Sequence, residues 1–207
     1  MNKSFTYKEI FKFGWQKTKQ NFWFLFVIQI VVFGVNMISD SSIIGFVLSL
    51  LTGLLITQIF LRLSENENLN FKNFLSNVTL DKLLHYTLTT IITSIFVVVG
   101  LVLLIVPGII ISIMTSFAPF ILLEKNFKPS WKDLSFWQVI KKSKKMTHGY
   151  KWKIFVFMLI ALGVNLLGLI ALGVGLFFTI PTTAIAFAKM YQIIKGEEAQ
   201  EVKAEVV

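Results

Sequence analysis

Residues 136–165, FWQVIKKSKKMTHGYKWKIFVFMLIALGVN, change character midway: a basic first half with helical periodicity runs without a turn signal into an almost uncharged apolar second half. The chain presents nearly the same text once before, in residues 7–36, YKEIFKFGWQKTKQNFWFLFVIQIVVFGVN. Aligned without a gap, the copies pair Lys12 with Lys141, Thr18 with Thr147, Trp23 with Trp152, Phe26-Val27 with Phe155-Val156, and Gly34-Val35-Asn36 with Gly163-Val164-Asn165. An internal repeat of this kind specifies an architecture. It specifies no activity.

Of the 207 residues, 55% are hydrophobic and only 15% charged, and the mean hydropathy is +0.73. A globule of this size cannot hide that much apolar surface from water, and several runs approach the ~20 residues that a bilayer crossing needs. The first twenty residues hold five lysines and no apolar core, so they do not read as a cleavable signal peptide, and the first span is expected to stay in the mature protein. The absence of cysteine excludes disulfides, thiolate metal sites, iron–sulfur clusters and cysteine nucleophiles. A net charge of +9 in so apolar a chain is explained by lysines at the cytoplasmic membrane face rather than by nucleic acid.

Tyr7, Ile10, Phe11, Gly14, Trp15 and Thr18 fall at i, i+3, i+4, i+7, i+8 and i+11, flanked by Lys8, Lys12 and Lys19, which predicts an amphipathic helix lying at the membrane interface. Spans are expected at 22–38 and 43–63, joined by the polar turn Ser39-Asp40-Ser41-Ser42. A loop containing SENEN and a second amphipathic piece with Phe71, Phe74, Leu75 and Val78 follow. The third span, about 84–106, is expected to end at Pro107-Gly108, and the fourth, 109–123, is short for a full crossing. After a basic loop, Ser135 with Gln138 has the form of a capping box, with Leu134 placed to staple onto Val139. The face of Phe136, Val139, Ile140, Ser143 and Thr147 then matches the face of the first copy position by position. The fifth span is read at 152–171, Gly173 and Gly175 as a turn, and the sixth span at 176–194. Gly196 is expected to stop that helix before a disordered acidic tail, 196–207.

Gly53-LLIT, Gly108-IIIS and Gly175-LFFT form a weaker repeat in the even-numbered spans. Together the repeats predict one all-α integral membrane domain over residues 1–195: six transmembrane helices as three hairpins, each preceded by an amphipathic interfacial helix, in units of about 5–63, 70–123 and 135–194. All twenty Lys and Arg residues fall in the N-terminal arm, the two long loops, the C-terminal end or their helix borders, and only Asp40 among the acidic residues lies on the other side. Both termini are therefore expected in the cytoplasm.

Val106-Pro107-Gly108-Ile109, Phe117-Ala118-Pro119-Phe120, Leu123-Glu124, and then Ser143, Thr147, Gly149, Trp152 and Lys153 carry a resemblance to a broad, largely uncharacterised group of bacterial multi-pass membrane proteins. That group includes the membrane domain associated with glycerophosphoryl diester phosphodiesterases. The resemblance covers roughly residues 5–195. It implies a six-helix domain in the bacterial plasma (inner) membrane and no catalysis in this chain, since the group's phosphodiesterase chemistry belongs to a separate soluble domain.

Candidate chemistry is sparse. A metal-dependent hydrolase gathers carboxylates and histidines around one ion, whereas His85 and His148 sit at the mouths of different hairpins and the acidic residues are scattered. No phosphate-binding glycine loop and no serine with a base nearby is evident, so no catalytic residue, metal or cofactor is assigned. The strongest signal is the basic cluster Lys141, Lys142, Lys144, Lys145, Lys151 and Lys153 beside Trp152, at the level where anionic headgroups lie. Its bland reading is that these lysines only hold the loop in the cytoplasm. Gln29, Asn36 and Asn165 are intramembrane polar candidates, read either as interhelical hydrogen-bonding groups or as the lining of a shared cavity. Pro107, Gly108, Pro119, Gly175 and Pro181 are read as structural breaks, and Gly100, Gly163 and Gly168 as close-packing contacts.

The sequence thus points to a non-enzymatic bacterial inner-membrane protein with a lipid-interacting or envelope-organising role, whose partners are anionic lipids of the cytoplasmic leaflet. The competing readings are a small-solute or lipid transporter built around Gln29, Asn36 and Asn165, as a homo-oligomer for instance, and an accessory subunit of a separate membrane or soluble enzyme. No ionisable residue lies at mid-span, which counts against ion-driven transport.

Overall fold

A computed structural model of the protein describes residues 5–38, 43–65, 79–103, 105–124, 135–171 and 173–205, and every regular element among them is an α-helix. In chain order these are α1 (Tyr7–Gln20), α2 (Phe22–Ile38), α3 (Ile43–Ser64), α4 (Leu80–Leu103), α5 (Ile105–Thr115), α6 (Ala118–Leu123), α7 (Ser135–Thr147), α8 (Lys151–Ile170) and α9 (Leu176–Glu205). The Asp40 turn, residues 66–78, the basic loop 125–134 and the Ser135 side chain lie outside the described residues. So do the second amphipathic piece and the capping box expected there.

Leu80–Gly100, Val106–Leu123 and Lys151–Ile170 are long and apolar enough to cross a membrane. Tyr7–Gln20 and Phe22–Val35 form a pair bent by 86°, which makes a fourth crossing if counted as one, and Leu48–Ser64 is a shorter apolar helix. The 17 residues of α2 span about 26 Å, slightly less than the ~30 Å of hydrocarbon. Large apolar side chains point outward on several of these helices, including Val27, Phe33 and Met37 on α2, Val98 on α4, and Leu162, Leu167 and Ile170 on α8. Contiguous surfaces of that kind suit an apolar medium and not water.

The chain divides into two compact units, Met1–Leu69 with Phe157–Val207, and Asn70–Val156, a grouping that does not follow the three successive repeats. In the first unit the right angle between α1 and α2 is made at Asn21, whose backbone N–H and side-chain Nδ2 both donate to the Lys17 carbonyl, at 3.1 and 3.0 Å. α1 packs on α9. It buries Ile10, Gly14 and Thr18, and Gly14 comes so close that a Cβ there would collide with the Thr182 carbonyl oxygen and lie 3.2 Å from Ala186 Cβ. Thr182 Oγ1 donates to Thr18 Oγ1 at 3.1 Å beside this contact.

α9 turns in through Gly173, whose φ of +77° is the left-handed conformation that glycine adopts without strain. Gly175 ends the same turn and faces Gly168, and a Cβ on it would fall 2.7 Å from the Gly168 carbonyl oxygen. Pro181 sits inside the helix, which continues past it. Gly196 does not stop α9 either, because the helix reaches Glu205 where a disordered tail is expected. The residues after it, EEAQEVKAE, are mostly strong helix formers, and one interior glycine costs only about 1 kcal/mol.

In the second unit, α4 and α5 meet at Gly100 and Gly108, where a Cβ on Gly100 would lie 2.8 Å from Gly108 Cα. Pro107 and Gly108 therefore do not break α4. They lie in the first turn of α5, where a missing N–H has no intrahelical acceptor to lose. The expected fourth span is interrupted at Ser116-Phe117, and Pro119 stands in the first turn of α6. α4 starts at Leu80, four residues earlier than the hydropathy suggests, with Asp81 in its first turn at the favourable pole of the helix dipole.

Candidate functional site

The basic arm α7 follows the helical period closely. Val139, Ser143, Met146 and Thr147 are buried, and Lys141, Lys142, Lys144 and Lys145 between them are exposed. What holds the arm down is partly polar: Ser143 Oγ donates to the Met114 carbonyl at 2.8 Å. Met114 is in the last turn of α5, where carbonyls have no following helical N–H to accept from. The chain leaves α7 through Gly149, at φ +84°, and enters α8 at Lys151. Around this corner cations and rings alternate, with Lys141 Nζ 6.0 Å from the Trp137 ring centre, Lys153 Nζ 5.4 Å from that of Tyr150, and Trp152 exposed. Lys151 and Lys153 are half-buried.

Of the seven sequence-predicted residues, Lys141, Lys142, Lys144 and Lys145 thus lie on α7, and Lys151, Trp152 and Lys153 lie in the first turn of α8. Lysines supply positive charge and donors but no acceptor. Their chemistry is recognition of anions, and the adjoining indole and phenol rings have the mixed character that suits a headgroup layer.

α1 has the same construction in the first unit. Its buried Ile10, Gly14 and Thr18 are the repeat equivalents of Val139, Ser143 and Thr147, and Trp23, the equivalent of Trp152, is similarly exposed, at 76% against 73%. Lys19 lies over Trp15 at 5.2 Å, and Lys17 and Lys189 lie over Phe13 at 5.9 and 4.8 Å. The arms differ mainly in charge density, since α7 carries four exposed lysines within five residues.

Of the intramembrane polar candidates, Gln29 and Asn165 each bond to a different residue of α9. Gln29 Nε2 donates to the Phe177 carbonyl at 3.5 Å. That carbonyl is available because its helical partner four residues on is Pro181, which has no N–H. Asn165 Nδ2 donates to Thr183 Oγ1 at 3.4 Å, joining α8 to α9. The Asn36 side chain lies outside the described residues. Gln29 and Asn165 therefore make the interhelical bonds of the simpler reading. Sequence reasoning missed Thr18, Thr182 and Thr183 as partners, although Pro181 is itself the signal that Phe177 needs a donor.

A cavity of about 550 Å³ lies in the first unit between α2, α3 and α9. Gln29 lines it, but its other walls are aliphatic, phenylalanine or glycine, so it is apolar rather than the polar cavity a transporter reading expects. Gly100 and Gly168 are close-packing contacts, with a Cβ on Gly168 2.5 Å from Thr179 Oγ1, but a Cβ on Gly34 or Gly163 would meet nothing within 4 Å. His85 is buried with Nδ1 2.8 Å from the Asp81 carbonyl, and His148 is exposed. Among the described residues no three His, Asp or Glu side chains are placed to share a metal ion.

A family model described as a protein of unknown function, DUF975, matches residues 18–198. The match does not tie the chain to glycerophosphoryl diester phosphodiesterases. No curated protein and no solved structure matches it.

Proposed function

The chain belongs to the uncharacterised DUF975 family, and from that premise we propose that it is a non-enzymatic protein of the bacterial inner membrane that engages anionic lipids through its α7 arm and so organises the membrane around it. The observation that carries this reading is the division of α7: four apolar or small positions are buried and the four interleaved lysines are exposed beside Trp137 and Trp152. An arm anchored in that way presents charge to a headgroup layer. In this proposal the chain crosses the membrane six times as three hairpins with both termini cytoplasmic, α2, α3 and α9 completing the set, and the lysine distribution supports that orientation. Kinship with phosphodiesterase-associated membrane domains is the finer half of the proposal and adds no catalytic step.

The test is thermal stability of the purified protein in vesicles of phosphatidylglycerol and of phosphatidylcholine. Each lysine near an anionic surface contributes about 1 kcal/mol, so the protein is expected to be distinctly more stable in phosphatidylglycerol. The preference is expected to shrink on raising salt and to fall away when Lys141, Lys142, Lys144 and Lys145 are all replaced by Gln. Equal stability in the two lipids, unaltered by those replacements, removes the proposal's support.

A further inference from the structure

We infer that the cavity between α2, α3 and α9 is the seat of one acyl chain of a membrane glycerophospholipid whose phosphate lies at the end of α1. The inference rests on the membrane-lipid reading above but concerns a different part of the chain. α2 lines the cavity with Leu25, Ile28, Gln29, Val32 and Phe33, at i, i+3, i+4, i+7 and i+8, a single face of the helix. α3 contributes Ile59 and Phe60 among others, and α9 contributes Phe177 and Ile180. Three helices turn apolar faces toward each other there without closing the space.

Something must fill it. The space is half open, with Phe33 66% exposed at its rim, so the medium around the helices enters it. Water is a poor occupant, because an ordered water needs two to four polar partners. The lining offers one polar side chain, and that side chain already directs its amide to Phe177. Hydrocarbon remains. The α2 wall from Leu25 to Phe33 runs roughly 12 Å, most of the ~15 Å depth of one leaflet's hydrocarbon.

The charge at one end of the cavity selects the kind of lipid. Beyond Leu25 lies the corner between α2 and α1, with Trp23 exposed and Lys17 and Lys19 in the last turn of α1. Lys19 lies over Trp15, Trp15 packs against Phe178 at 5.9 Å, and Phe178 is the neighbour of the lining residue Phe177. A chain in the cavity therefore leads toward an indole and two ammonium groups. That arrangement suits a glycerol backbone and phosphate.

Photolabelling tests it with the whole protein in phosphatidylethanolamine vesicles containing a phosphatidylglycerol that carries a diazirine halfway along one acyl chain. Peptide mapping is expected to find labels on the cavity faces of α2 and α9 about fivefold above those on the outward face of α8 at Leu162 and Leu167. Val32→Trp or Ile180→Trp, either of which fills the space, is expected to lower the cavity label about fivefold and leave the α8 label unchanged. Labels spread evenly over α2, α8 and α9 in the unsubstituted protein overturn the assignment, whether or not the tryptophan variants fold. The two readings fail separately. Even labelling with the phosphatidylglycerol stabilisation intact overturns the cavity assignment alone, and a cavity label that persists without that stabilisation supports the cavity and overturns the role of the α7 lysines.

Discussion

Pro181 and Gln29 form a pair whose energetics can be worked out in advance. Without Pro181 N–H, the Phe177 carbonyl loses its intrahelical donor, and Gln29 Nε2 reaches it across the helix interface at 3.5 Å. The bond is long, and interhelical hydrogen bonds in membranes average about 0.6 kcal/mol, while a buried acceptor left without a donor costs about 1–3 kcal/mol. Gln29→Leu makes no bond but adds apolar surface to an apolar cavity, which offsets part of the loss. A net destabilisation of about 1 kcal/mol is expected. Pro181→Ala restores an N–H four residues after Phe177, so in that background Gln29→Leu should cost nothing beyond about 0.3 kcal/mol. Unfolding in mixed micelles, followed by circular dichroism as the denaturing detergent is raised, measures all four corners of the cycle. The reasoning is refuted if Gln29→Leu costs the same with proline and with alanine at 181.

The glycines separate into two sets with opposite expectations. Gly168→Ala and Gly100→Ala force apart backbones already in contact and should cost about 1–3 kcal/mol, whereas Gly34→Ala and Gly163→Ala meet nothing and should stabilise their helices by up to about 1 kcal/mol, measured in the same unfolding assay. The chain has no cysteine, so single cysteines report topology cleanly. Asp40→Cys and Val174→Cys should react with an impermeant maleimide in intact cells, and Lys8→Cys and Lys142→Cys only after permeabilisation. The reverse pattern would invert the proposed orientation.

The repeat made much of this architecture legible, because burial at Ile10, Gly14 and Thr18 and at Val139, Ser143 and Thr147 is a consequence of local periodicity that two copies state twice. The exposed Trp23 and Trp152 were legible for the same reason. Helix ends were read less well, since proline and glycine act differently by position. Pro107 begins a helix instead of ending one, and Gly196 is carried through by good helix formers on its far side. Least legible were the partners. Nothing local in Gly14 says that it meets Thr182, and Gly163, like Gly34 which it repeats, has open space where a Cβ would go. The lysine cluster was visible in a single short stretch of sequence, while the apolar cavity depends on three helix faces far apart in sequence.

The equivalent positions 14 and 143 show how one docking problem has two chemical solutions. Each arm lies against a helix beside an irregularity in that helix: α1 touches α9 at Thr182, next to Pro181, and α7 touches α5 at Met114, just before the interruption at Ser116-Phe117. The Met114 carbonyl, at the end of α5, cannot turn to water in an apolar medium, whereas the Thr182 carbonyl lies inside α9 with the Ala186 N–H four residues on. Ser143 gives the first a hydroxyl at 2.8 Å, and Gly14 lets α1 approach the second closely with no side chain between. Exchange of the two residues should therefore fail in both directions, for different reasons. Ser143→Gly removes the donor and loosens the α7 helix, with an expected cost of about 2 kcal/mol from the hydrogen bond and the glycine together. Gly14→Ser places an atom where the Thr182 carbonyl already lies, and since that carbonyl is backbone the arm must lift, at a cost of about 1–3 kcal/mol. Ser143→Ala separates the causes, because it removes the hydroxyl without the glycine penalty and should cost about 1 kcal/mol. Protease accessibility at Lys12 and Lys144 reads arm release directly. A Gly14→Ser protein with its arm as protected as the parent's would show that the close approach of α1 to α9 is not what holds the arm in place.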